Sequence, residues 1–76
     1  MLTGKAKRNN DMTWDVLHGK TLDAAAKLYG FNSRQAAQKA FRLTAVNFFT
    51  RSYTKEIVSN GYKISYLRKL WKNTQL

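Results

Sequence analysis

The chain has 76 residues, with 14 Lys and Arg against 4 Asp and Glu, no Cys, no Pro and a net charge of +10. So short a chain buries only roughly 60% of its unfolded surface, which allows one small domain, and the lack of Cys excludes a disulfide framework and a thiolate zinc site. No apolar run approaches the roughly 18 residues that span a bilayer, so a soluble protein of the reducing cytoplasm is expected, with no signal segment.

Met1 to Asn9 carries Lys5, Lys7 and Arg8 without apolar periodicity, which predicts a flexible basic arm over 1–9 ahead of a single domain over 10–76. Asn10 or Asp11 then caps a short helix with Trp14, Val16 and Leu17 toward the core, and with Asp11 and Asp15 near its positive end. Gly19 ends it. Thr21 is the expected N-cap of the next helix, whose apolar face is Leu22, Ala25, Ala26 and Tyr29. Gly30 stands where a left-handed C′ residue belongs, with Phe31 behind it for the accompanying apolar contact, so the turn is Gly30-Phe31-Asn32.

Ser33 caps a third helix in the same way. At about 100° per residue, Arg34, Gln35, Gln38, Lys39 and Arg42 share an arc of roughly 140°. Ala36, Ala37, Ala40, Phe41, Leu43 and Thr44 are expected on the opposite, buried side. Beyond Arg42 this division fails, because Val46 and Phe49 would fall on the polar arc.

Two readings of Asn47 to Gly61 stay open. Phe48, Tyr53, Ile57 and Val58 can form a helical stripe that stops at Asn60-Gly61. Alternatively Asn60-Gly61 is a type I′ turn of a short β-hairpin wing pairing Ile57 with Ile64 and Ser59 with Tyr62. After it, Ile64, Leu67, Leu70 and Trp71 recur at helical spacing against Arg68, Lys69 and Lys72, which predicts an amphipathic C-terminal helix. The expected fold class is thus all-α, a small helical bundle. One internal echo occurs: Gly30-Phe31 precedes Arg34-Gln35-Ala36-Ala37 as Gly61-Tyr62 precedes Ser65-Tyr66-Leu67-Arg68, an offset of 31 that would suit a degenerate second unit.

Charge is unevenly placed: residues 1–9 contribute +3, residues 10–33 contribute −1 and residues 34–76 contribute +8. Such a field favours a polyanion. An anionic membrane surface competes through the Ile64 to Trp71 stripe, and RNA is disfavoured by the lack of an RNP-like strand motif or a Gly-x-x-Gly loop.

Trp14 to Leu43 resembles the helix-turn-helix of homeodomain-like and resolvase-like DNA-binding domains of small bacterial and phage regulators. The resemblance rests on His18-Gly19-Lys20-Thr21-Leu22, Ala25-Ala26, Gly30-Phe31 and Ser33-Arg34-Gln35-Ala36-Ala37. Asn32 lengthens the turn by one residue, and Ala25 stands where a larger aliphatic side chain is usual. The resemblance implies a recognition helix starting at Ser33, with Arg34, Gln35 and Gln38 on bases and Ser33, Lys39, Arg42 and Thr21 on phosphates. It also places Lys5, Lys7 and Arg8 on an arm in the adjacent minor groove.

Trp14, Phe31, Phe41, Phe48 and Trp71 are expected in the core. Phe49, Tyr53, Tyr62 and Tyr66 are too many to bury at once, and some of them would supply the surface of a homodimer, setting two recognition helices one turn of DNA apart. The expected function is sequence-specific binding of double-stranded DNA by a small bacterial or phage transcriptional regulator, cytoplasmic and nucleoid-associated, with no membrane partner. The alternative is a phage-type interaction module docking on host machinery such as RNA polymerase through its aromatic C-terminal half. One His and four scattered carboxylates offer neither metal-ligand spacing nor an activated nucleophile, so no catalytic, metal or cofactor site is expected.

Overall fold

The computed structural model describes residues 4–74, and no strand occurs among them. The helices are α1 (Gly4–Leu17), α2 (Leu22–Leu28), α3 (Arg34–Ala45), α4 (Thr54–Ser59) and α5 (Ile64–Thr74), with single 3₁₀ turns at Val46–Phe48 and Arg51–Tyr53. The hairpin wing is therefore not formed, and Asn60-Gly61 instead closes α4.

Residues 4–9, expected in a flexible arm, are the first turns of α1. Ala6, Lys5, Lys7 and Arg8 have good helix propensity, and Lys7 pairs with Asp11 one turn on at 3.2 Å. The Arg8 guanidinium also lies 4.1 Å from the centroid of the Phe31 ring, a tertiary contact that holds this stretch against the body of the protein. Further along, α1 buries Met12, Thr13, Val16 and Leu17. Val16 and Leu17 are buried as expected, but Met12 and Thr13 fill the turn before them, which leaves Trp14 49% exposed instead of in the core.

The short helices start and stop where local chemistry dictates. Thr21 Oγ1 accepts the Ala24 N–H at 3.1 Å, and Ser33 Oγ accepts the Ala36 N–H at the same distance, each satisfying an orphan donor of a first turn. At the end of α2, Gly30 adopts φ 74°, the Phe31 N–H reaches the Ala26 carbonyl at 2.8 Å and the Gly30 N–H reaches Lys27 at 3.4 Å. This is the 6→1 and 5→2 pairing that turns a chain sharply out of a helix, and it needs the left-handed conformation that glycine adopts freely.

The core is formed by Met12, Val16 and Leu17 of α1, Leu22, Ala25 and Ala26 of α2, Ala37, Phe41 and Ala45 of α3, Ile57, Leu67 and Trp71. Alanines at 25, 26 and 37 let α3 pack closely on both α1 and α2. The Tyr29 hydroxyl donates to Asp15 and ties the end of α2 to α1. Around Trp71 an aromatic cluster closes the opposite end: Phe48, Trp14 and Phe49 present ring centroids at 5.5, 5.6 and 5.8 Å, at steep angles. The Trp71 indole N–H donates to His18 Nε2 at 3.3 Å. An indole is only a donor, so the His18 proton sits on Nδ1, aimed at the Trp14 carbonyl 2.7 Å away.

Candidate nucleic-acid interface

The N-terminus of α3 projects from the α2–α3 turn, because the Gly30 cap and the Ser33 cap together reverse the chain within five residues, Tyr29 to Ser33. Ser33, Arg34, Gln35 and Gln38 line one open groove of about 420 Å³ at this end. The sequence sets Arg34, Gln35 and Gln38 on one arc behind the Ser33 cap, and the fold keeps the four together at the surface, with Gln38 half-buried.

The face of α3 differs from the expected one. Ala37, Phe41, Thr44 and Ala45 are buried, while Ala36 is exposed and Ala40 is half-buried. Leu43 is also exposed, at 66%. On a helical wheel this rotates the buried side by roughly 70°. The outward stripe therefore runs through Gln35, Ala36, Lys39, Arg42 and Leu43, with half-buried Gln38 at its margin. The reason is packing: α3 contacts both α1 and α2, and the 37–41–45 row is the part of it that joins the core. Apolar character alone places Ala36 and Leu43 inside, but a lone apolar residue tolerates water readily.

The basic side chains divide by what they touch. Arg34 lies 3.5 Å from Asp23 of α2, in an exposed pair. Lys39 is exposed, and the Arg42 guanidinium stands 5.9 Å over the centroid of the Tyr62 ring. Thr21 is exposed while capping α2, so its hydroxyl proton remains available to an incoming oxygen. Lys5 and Lys7 are exposed on α1, but Arg8 is half-buried on Phe31. Helix α1 occupies residues 4–9 of the expected arm, of which residues 1–3 lie outside the described residues, so these three side chains stand on a helix and not on an extended minor-groove arm.

Lys27 is one of the exposed cations that the sequence grouping leaves out. It borders a second groove of about 300 Å³ with Asp23, Asn32, Ser33 and Arg34. Its place in the last turn of α2, facing the turn, is the signal that could have found it.

Each of the four carboxylates of the chain has a partner: Asp11 with Lys7, Asp23 with Arg34, Asp15 with Tyr29 and Glu56 with Tyr66. The phenols respond. The Asp15 hydrogen bond first, then burial, raises Tyr29 to about 12; burial first, then the Glu56 hydrogen bond, raises Tyr66. Among the described residues most cations thus face solvent with no carboxylate beside them, and the outward field is positive.

Arg68, which the sequence sets beside Lys69 and Lys72 opposite the apolar stripe of the C-terminal helix, is used inside the protein. Its Nε donates to the Val16 carbonyl at 2.8 Å and its guanidinium to Lys20 at 2.9 Å. The aromatic residues expected to form a dimer surface are also engaged within the chain. Phe49, Tyr53, Tyr62 and Tyr66 are all half-buried, and they contact Trp71, Phe49, Arg42 and Glu56 respectively. Leu67 and Trp71 of the α5 stripe are core, and no helix of the described residues is long and apolar enough to cross a membrane. The chain matches no family model, no curated protein and no solved structure.

Proposed function

We propose that this protein binds double-stranded DNA in a sequence-specific manner, with α2 and α3 acting as a helix-turn-helix and α3 entering the major groove, in the manner of a small bacterial or phage transcriptional regulator. The observation that carries this reading is the uncovered end of α3, where Ser33, Arg34, Gln35 and Gln38 line one groove. Gln35 and Arg34 are the base-reading pair, since Gln matches adenine N6 and N7 and Arg matches guanine O6 and N7. Lys39, Arg42, Ser33 and Thr21 hold phosphates. The exposed Ala36 adds an apolar surface suited to a thymine methyl group. A net charge of +10, with every carboxylate partnered, supplies the attraction.

Selection from a random duplex pool with the purified protein tests the reading. An enriched motif is expected, with Gln35→Ala relaxing one position of it and Lys39→Ala weakening all sequences alike. A pool that remains random after selection, with binding indifferent to salt, would refute it.

A further inference from the structure

The turn between α4 and α5 repeats three backbone bonds of the turn between α2 and α3, and departs from it in the left-handed Tyr62, at φ 57°, and in the Lys63 N–H to Asn60 bond at 3.4 Å. The Phe31 N–H to Ala26 bond, the Gly30 N–H to Lys27 bond and the Tyr29 N–H to Ala25 bond recur 31 positions later as Tyr62 to Ile57, Gly61 to Val58 and Asn60 to Glu56. Gly30 and Gly61 share the left-handed backbone, at φ 74° and 64°. The aromatic residue that follows each glycine lies under a guanidinium from an earlier helix: Arg8 of α1 over Phe31, Arg42 of α3 over Tyr62.

The helices that follow also correspond. The second connection is one residue shorter, so α5 aligns with α3 at an offset of 30. Across 37–43 and 67–73 the order of buried, half-buried and exposed positions is identical at all seven places. Ala37 and Phe41 answer to Leu67 and Trp71 in the core, while Lys39 and Arg42 answer to Lys69 and Lys72 in solvent. Gln38 answers to Arg68, which the second unit uses to grip α1.

We infer that α4 and α5 are a second copy of the DNA-contacting helix pair, and that Lys69 and Lys72 hold phosphates of the same duplex that α3 enters. This inference rests on the function proposed above. Residues 60–74 contain four cations and no carboxylate, which is complementary to a phosphate backbone. The duplex is shared because Arg42, on the outward face of α3, lies against Tyr62 in the second turn, so the two units adjoin at that face. The second copy supplies backbone grip and not base reading, since Ile64 and Ser65 stand where Arg34 and Gln35 stand in the first.

The experiment is a fluorescence-anisotropy titration of wild-type protein and the Lys69→Gln/Lys72→Gln variant on one labelled duplex over a range of salt. Both lysines are exposed, and circular dichroism checks that the variant keeps its fold. The slope of log K against log salt should fall in magnitude by about 1.8, or about 0.9 for each phosphate that no longer meets a lysine. Sequence preference should not change. A folded variant with an unchanged slope would overturn the second contact while leaving the α3 reading intact. Capture of a second duplex by wild type, abolished in the variant, would place the lysines on a different DNA molecule and overturn the shared footprint. A wild-type protein that binds no duplex overturns both.

Discussion

Arg68 donates to the carbonyl of Val16, in the last turn of α1, from a helix that begins nearly fifty residues later. The guanidinium adds a second donor to the Val16 carbonyl, which already accepts the Gly19 N–H at 3.2 Å, and holds the Lys20 carbonyl of the exit turn, and its charge sits at the negative end of the α1 dipole. Arg68→Ala should lower stability by about 2–3 kcal/mol, because the charge-assisted bonds disappear and two carbonyls are left without them. Arg68→Lys should recover only part of this, because one ammonium cannot reproduce the two-pronged geometry. Urea denaturation measures both, and an alanine variant as stable as wild type would refute the clamp.

Thr13 is fully buried in α1, and its hydroxyl has no hydrogen-bond partner among the described residues. Valine has nearly the same shape and removes the unpaired oxygen. Thr13→Val should therefore stabilise the protein by about 1 kcal/mol, seen as a higher urea midpoint at unchanged slope. A lower midpoint would mean that the hydroxyl is satisfied in solution.

The bond from Tyr29 to Asp15 makes stability depend on alkaline pH. The folded state holds the phenol in its neutral form, with its pKa raised from 10.0 to about 12. The contribution is complete below pH 10 and is lost as the pH climbs toward 12, because the unfolded chain releases the proton first. Thermal melts of wild type should fall more steeply across this window than those of Tyr29→Phe. Parallel curves for the two proteins would sink the assignment.

Under the proposed function, Asp23 is a competitor of the duplex for Arg34, from which it lies 3.5 Å away in an exposed pair. Replacing it with Asn frees the guanidinium and removes a negative charge beside it. Asp23→Asn should tighten binding to the selected duplex by about fivefold, the scale of one unit-charge interaction of about 1 kcal/mol across a wet surface. Weaker binding would show instead that Asp23 orients Arg34 for its base.

How much of the molecule is legible in its residues follows the range of the forces involved. Thr21, Gly30, Ser33 and Asn60-Gly61 act over one helical turn, so the helix boundaries between residues 21 and 34 and the stop at residue 60 can be read from residue type alone. The stripe of α5 is equally plain, since Leu67 and Trp71 recur at i, i+4 and are buried as expected. The hairpin alternative at Asn60-Gly61 is open locally because the same pair suits a type I′ turn, and the burial of Ile57 on the helical core decides against it. The groove lined by Ser33, Arg34, Gln35 and Gln38 is legible as a group.

The residues alone carry the helical class, the caps, the positive field and the repeat of the glycine-aromatic turn, because each depends on composition or on neighbours a few positions apart. Packing between distant segments sets which way α3 faces, that residues 4–9 are helix, that Trp14 is exposed and that Arg68 turns inward. Those outcomes depend on partners far along the chain: Phe31 for Arg8, α1 and α2 for the 37–41–45 row, Val16 for Arg68. Helical periodicity says that a side of α3 must be buried. Its contact with α1 and α2 says which side.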